Sequence, residues 1–152
     1  MKRMRVLVGG PLSEWPDALH AGQLDGPWAA ADRDALRLLA MNQVPLLTVG
    51  DFDSMTATER QTTLAKLPRV VSAQPEKDET DTELLLSLIE QDYQPDRIEI
   101  YGATGGRIDQ LLSNIWIFTQ PRFQTLATKI VLIDRTNEIS FYLPGKHTIT
   151  HT

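Results

Sequence analysis

Short apolar runs alternate with helix-patterned segments along this chain, and that alternation constrains the fold more than any other feature. Strand-like runs occur at Val6–Val8, Trp28–Ala31, Val44–Val49, Val70–Ser72, Ile98–Tyr101 and Ile130–Ile133. Most are apolar on successive residues, which suits strands covered on both faces. Between them lie helical patterns at about 33–41, 56–67, 81–91 and 108–118. In the third, Leu84, Leu85, Leu88 and Ile89 recur on one helical face. Thr80 and Glu83 read as a capping box, the threonine taking a free N–H and the glutamate reaching back. Strands alternating with helices predict an α/β fold: a three-layer, mainly parallel sheet with helices on both faces.

The alternation breaks near the end of the sequence. Lys129–Asp134 and Glu138–Leu143 are two strand-like runs with only Arg135-Thr136-Asn137 between them, and Pro144-Gly145 makes a further turn. This reads as antiparallel. Either these strands pair with the main sheet or they open a second, all-β unit, because a lone hairpin is marginal.

Composition narrows the chemistry. The 152 residues suffice for a domain that folds without staples. The absence of cysteine removes thiolate metal sites, disulfides and cysteine nucleophiles. A net charge of -5 disfavours nucleic acid as a partner. No apolar run has membrane length, so no membrane association is expected and a cytoplasmic location is the default. Much of the acid lies between Glu76 and Asp96, where eight carboxylates face one base, Lys77. Such runs are usually solvated helix faces.

Ligands of parallel α/β sheets bind beyond the carboxyl ends of the strands. Four expected strand ends deliver aspartates there: Asp32; Asp51 and Asp53; Asp78 and Asp81; and Asp109 after Gly102-Ala103-Thr104-Gly105-Gly106-Arg107. Clustered carboxylates repel unless a cation lies among them, and oxygen-only donors suit Mg²⁺. The plainer alternative is that Asp51 caps a turn and Asp53 or Ser54 caps the next helix. Glycines between a strand and a helix let backbone N–H groups reach an anion, and Arg107 offers a fork for phosphate. No Walker or Rossmann glycine motif is present. His20, His147 and His151 lie away from these loops. Carboxylates for Mg²⁺ beside a phosphate loop point to phosphoryl or nucleotidyl transfer, which needs charge neutralisation more than a covalent nucleophile.

Three segments, Gly50-Asp51-Phe52-Asp53-Ser54, Glu76-Lys77-Asp78-Glu79-Thr80-Asp81 and Gly102-Ala103-Thr104-Gly105-Gly106-Arg107-Ile108-Asp109-Gln110, together resemble the thiamine pyrophosphokinase family. Ala30-Ala31-Asp32 resembles its early A-D-G element, with Arg33 where glycine is usual. The resemblance implies pyrophosphoryl transfer from ATP to the hydroxyl of thiamine, with attack at the β-phosphorus, giving thiamine diphosphate and AMP. It implies Asp51, Asp53 and Asp81 as Mg²⁺ ligands and catalytic groups, with Asp109 on the thiamine side or aiding deprotonation. It implies Asp32, Lys77, Asp78, Thr80, Thr104, Gly105, Gly106, Arg107 and Gln110 as nucleotide-side residues. It further implies homodimers in which thiamine lies between one protomer's α/β domain and the other's C-terminal β-sandwich. On that basis residues 1–123 are expected to form the catalytic domain, and 124–152 the first strands of a truncated β-sandwich. The same rim would serve a pyrophosphokinase acting on another alcohol, such as a hydroxymethylpterin, or a fragment that binds nucleotide and Mg²⁺ without turnover.

Overall fold

A computed structural model describes residues 1–52, 55–72 and 79–150. Its strands are β1 (Arg3–Leu7), β2 (Trp28–Ala31), β3 (Leu47–Gly50), β4 (Val70–Ser72), β5 (Arg97–Tyr101), β6 (Ile130–Ile133) and β7 (Glu138–Ser140). They form one sheet in the order β4-β3-β2-β1-β5-β6-β7. Every pairing is parallel except that of β6 with β7. The helices are α1 (Asp17–His20), α2 (Asp34–Ala40), α3 (Ala57–Leu64), α4 (Asp81–Asp92), α5 (Ile108–Trp116) and α6 (Gln124–Ala127).

Alternation along each strand splits the apolar core in two. On one face Met4, Val6, Ala29, Val49 and Ile100 pack with Leu85, Leu86 and Ile89 of α4 and with Ile117, Phe118 and Leu126. On the other, Leu7, Trp28, Ala30 and Tyr101 pack with Trp15, Leu19, Ala35 and Leu38. Helices therefore cover both faces, as the continuous apolar runs require. The buried stripe of α4 is Leu85, Leu86 and Ile89, with Leu84 and Leu88 only partly covered. Among the described residues no helix is long and apolar enough to cross a membrane.

The strand boundaries have local causes. β3 begins at Leu47 rather than Val44, because Pro45 has no N–H for the ladder. β1 begins earlier than expected, since Arg3 and Arg5 lie within it. Arg5 is buried because its register partner on β5 is Glu99. The Glu99 carboxylate accepts from Arg5 Nε at 3.1 Å, Tyr101 Oη at 3.0 Å and Arg97 Nε at 2.9 Å.

Thr56 and Thr80 cap α3 and α4, accepting from Glu59 N and Glu83 N, each at 3.1 Å. The α3 start therefore needs neither Asp53 nor Ser54 as its cap. Glu83 uses its carboxylate on Thr80 Oγ1 and on Arg122, at 3.3 and 2.6 Å.

The C-terminal hairpin extends the main sheet. β6 adds parallel to β5, and β7 closes that edge antiparallel. The sheet thus continues to Ser140.

Candidate active site

From β1 the chain builds outward through β2, β3 and β4, then returns to the opposite side of β1 as β5. The order reverses between β1 and β5, where sheets of this kind open a crevice at their carboxyl end. The two strand ends meet closely there. Val8 N donates to Tyr101 O at 2.9 Å, and Gly10 N to Gly102 O at 2.7 Å. A Cβ on Gly10 would lie 2.8 Å from the Gly102 carbonyl carbon, so only glycine fits.

Two adjoining clefts occupy this rim. The first, about 320 Å³, is lined by Gly9, Gly10, Gly102, Gly105, Gly106, Arg107, Gln110 and Asn114, with Val8 and Thr82. The second, about 560 Å³, is lined by Asp32, Arg33, Asp34, Arg37, Asp51 and Asp81, again with Val8, Gly9 and Thr82. One cleft is a glycine cradle and the other holds carboxylates.

In the glycine cleft, Gly102, Gly105 and Gly106 have φ of 82°, 83° and 68°, a left-handed conformation that side chains disfavour. No side chain caps α5 at Arg107, in contrast to α3 and α4. Gln110 N donates to Asp109 Oδ1 at 3.0 Å, so an anion at this helix start would compete with Asp109. Arg107 lines the cleft, but its guanidinium pairs with Asp109 at 3.1 and 2.6 Å. Both side chains are exposed, and such pairs hold only about 0–1 kcal/mol. An arriving phosphate can displace Asp109. The Thr104 hydroxyl does not face the cleft. It is buried and donates to Asp134 Oδ2 at 2.6 Å. The Thr80 hydroxyl is likewise engaged, as the α4 cap.

In the carboxylate cleft, Asp32 ends β2 with φ 49°, a left-handed position that aspartate tolerates better than most residues. Arg33 follows with φ -64° and ψ -14°, ordinary helical values, so this turn has no need of glycine there. Asp32 Oδ1 is buried and has no hydrogen-bond partner among the described residues. Gly50 leaves room for it: a Cβ there would lie 2.7 Å from Asp32 Cγ. Burial pushes the Asp81 carboxyl up to about 7, with the hydrogen bond and charge of Asp32 and the charge of Asp51 adding to it. Burial also raises Asp34 to about 6, with Asp32 adding and Arg37, 2.8 Å away, opposing. Arg60 holds the Asp51–Phe52 turn through the Phe52 carbonyl at 3.0 Å.

Among the described residues no three carboxylates or imidazoles are already drawn into a metal cage. Asp53, Lys77 and Asp78 lie outside the described residues. The residues present nonetheless suit a hard cation. Asp32 has an orphaned buried oxygen, and Asp81 is held back from ionising by neighbours of like charge.

Gly9, Gly10, Thr82, Asp34 and Asn114 line these clefts although sequence reasoning did not single them out. The Gly9-Gly10 pair directly after the first strand was a usable signal, as was Asn114, four residues beyond Gln110 on the same helical face.

The comparisons agree with this geometry. Residues 25–132 match the family described as thiamin pyrophosphokinase, catalytic domain. The thiamine pyrophosphokinase of Bacillus subtilis is 36% identical over 151 residues, covering 98% of this chain and 68% of that protein. A crystal structure of a protein from Lactobacillus plantarum superposes with a TM-score of 0.89 at 43% identity, over 100% of this chain and 70% of that one. The crystal structure of the Bacillus subtilis enzyme gives 0.76 at 35% identity, over 95% and 66%. With the catalytic-domain model matched over residues 25–132 and a relative 36% identical over nearly the whole chain, the chain belongs to the thiamine pyrophosphokinase family.

Proposed function

We propose that this chain carries the catalytic domain that transfers the pyrophosphoryl group of ATP to thiamine. The thiamine hydroxyl oxygen bonds to the β-phosphorus, the bond from that phosphorus to the α–β bridging oxygen breaks, and AMP leaves. The hydroxyl proton passes to a base or to solvent. The observation that carries this reading is the adjoining pair of clefts: an uncapped helix with glycines for the phosphate arm, and carboxylates for its counter-ion.

Mg²⁺ is the proposed metal, held by Asp51, Asp53 and Asp81, with Asp32 as a further donor. When bound it neutralises phosphate charge. Val8, Gly9 and Thr82 lie where the two clefts join and orient the phosphate chain between them. Gly105, Gly106, Gln110 and the α5 amides bind its oxygens, and Arg107 turns from Asp109 to phosphate. Lys77, Asp78 and Thr80 belong to the nucleotide side. Asp109, once released, faces the acceptor. The cytoplasm, where ATP is plentiful, is the proposed location.

The family homodimer is proposed here as well. Ile108, Leu112 and Trp116 lie four apart along α5 and are 73%, 50% and 64% exposed, an apolar stripe that suits a partner surface. We place the start of any second, β-sandwich domain after Ser140, where the sheet ends, and assign the rest of the thiamine pocket to it. The test is incubation with Mg·ATP and thiamine, with AMP and thiamine diphosphate separated by chromatography. Equimolar products are expected. Absence of AMP from a preparation that includes the second domain overturns the proposal.

A further inference from the structure

We propose that Asp134 is a positioning residue for the glycine cradle, acting through Thr104 and through the turn that it caps. Asp134 directly follows β6, at the same rim as the two clefts, yet lines neither of them. It is 9% exposed. Its Oδ1 accepts from Thr136 N at 2.8 Å and Asn137 N at 2.6 Å, which closes the β6–β7 turn. Its Oδ2 accepts from the Thr104 hydroxyl at 2.6 Å and from Asn137 Nδ2 at 3.3 Å. Burial works against the ionised form, but the hydrogen bonds from Thr104, Thr136 and Asn137 outweigh it and hold the carboxyl below its usual range.

The same turn grips the other wall of the cradle. Arg135 N donates to Glu14 O at 2.8 Å. Glu14 and Pro11 in turn back the glycine loop, since a Cβ on Gly105 would lie 3.1 Å from Pro11 Cγ and closer still to Glu14. Three segments far apart in sequence thus dovetail: the loop after β1, the loop after β5 and the turn after β6. The loop after β5 carries Gly105, Gly106 and Arg107 and has left-handed glycines that give it no stiffness of its own. Its start is held by Gly10 N on the Gly102 carbonyl and Asn114 Nδ2 on the Ala103 carbonyl, at 2.7 and 2.9 Å. Thr104 is the fastening nearest the glycine pair, and a charge-assisted hydrogen bond to a buried carboxylate is a strong one. The fastening keeps the loop in the one arrangement that presents its amides to phosphate, so binding need not order it first.

The nucleotide role of the loop rests on the function proposed above, so the test has two arms. The first needs no ligand. Backbone ¹⁵N order parameters at 103–107 are measured in the wild type, Asp134→Ala and Thr104→Val, with β1 as the internal reference. The variants should drop from the rigid level of about 0.85 towards 0.6, with β1 unchanged. The second arm is calorimetric titration with Mg·ATP. Each variant should weaken binding about tenfold or more. The double variant should be no weaker than Asp134→Ala, because Thr104 acts only through its contact with Asp134. Asp134→Asn should lose less, since an amide oxygen still accepts the turn N–H groups while its NH₂ donates to Thr104.

Unchanged order parameters, or losses that add in the double variant, overturn the inference. Wild-type protein that fails to bind Mg·ATP overturns the nucleotide reading instead, and the first arm still decides the fastening. If Asp134→Ala does not fold, Thr104→Val decides, as it removes a single hydroxyl from a fold that retains its turn.

Discussion

Gly50→Ala tests the carboxylate cleft at its tightest point. The new methyl carbon would sit 2.7 Å from Asp32 Cγ and 3.1 Å from Asp32 Cα. Carbon atoms in contact sit about 3.5–4.0 Å apart, so the Asp32 carboxyl must move by about 1 Å. It has little freedom to do so, because Asp32 N donates to Val49 O at 2.8 Å and its backbone is already left-handed. Overpacking of this kind costs about 1–3 kcal/mol, and at about 2–4 °C per kcal/mol the melting temperature should fall by roughly 2–12 °C. A misplacement of about 1 Å in a positioning group costs about a hundredfold in turnover. The assays are calorimetric melting and AMP release in the presence of Mg·ATP and thiamine. Asp32→Gly in the same background removes the colliding carboxyl. It should recover part of the melting temperature but not the turnover, because the contact with Cα of residue 32 and the φ of 157° at position 50 remain; the coupling free energy should be about 1 kcal/mol or more. Additive effects, or a Gly50→Ala protein with unaltered melting and turnover, would refute the placement of Asp32 against Gly50.

Further outcomes are expected. Glu99→Ala leaves Arg5, whose side chain is 10% exposed, with the Asp25 carbonyl but without its Glu99 counter-charge, and should cost about 3–5 kcal/mol by denaturant titration; Arg5→Met together with Glu99→Met should recover most of it. In wild-type protein, burial opposes Glu99 ionisation, but Arg97, Tyr101 and Arg5 outweigh it and hold the carboxyl below its ordinary range. Its folded value thus lies below its unfolded one, so its stabilisation is complete above about pH 4.3 and disappears as pH falls through the folded value. An acid-unfolding midpoint that does not move in Glu99→Gln contradicts this. Asp81→Asn and Asp53→Asn should remove turnover and the rise in melting temperature on adding Mg·ATP, while circular dichroism stays unchanged. Leu112→Lys on the α5 stripe should shift the sedimentation of a dimeric preparation towards monomer, and an unchanged profile places the interface elsewhere.

The layered fold was legible because runs such as Trp28–Ala31 and Ile98–Tyr101 are apolar enough to announce burial on both faces. What escaped had physical causes. Arg3 and Arg5 hide the start of β1, and the burial of Arg5 depends on a partner, Glu99, almost a hundred residues away. The helices α1 and α6 have four residues each, too few to show a period. The β6–β7 hairpin looked like the start of another unit, because a sequence does not say which edge a strand will join. In the site, the aspartates at strand ends were visible as a pattern. Thr80 was legible as the α4 cap. The duty of Thr104 was not, since a hydroxyl in a binding motif reads the same whether it faces a ligand or fastens a loop.

The close meeting of Gly10 and Gly102 has a bearing on how the protein is made. These residues lie 92 positions apart (102 minus 10). During synthesis at about 5–20 residues per second, β1 emerges roughly 5–20 s before the strand that completes its side of the crevice. For that interval the centre of the future sheet is an unpaired apolar edge, open to wrong partners. Nucleotide cannot rescue it, because its cradle does not exist until β5 has docked. On the function proposed above, ATP binds only once β5 has docked, and it then stabilises the assembled sheet by mass action without guiding the earlier steps.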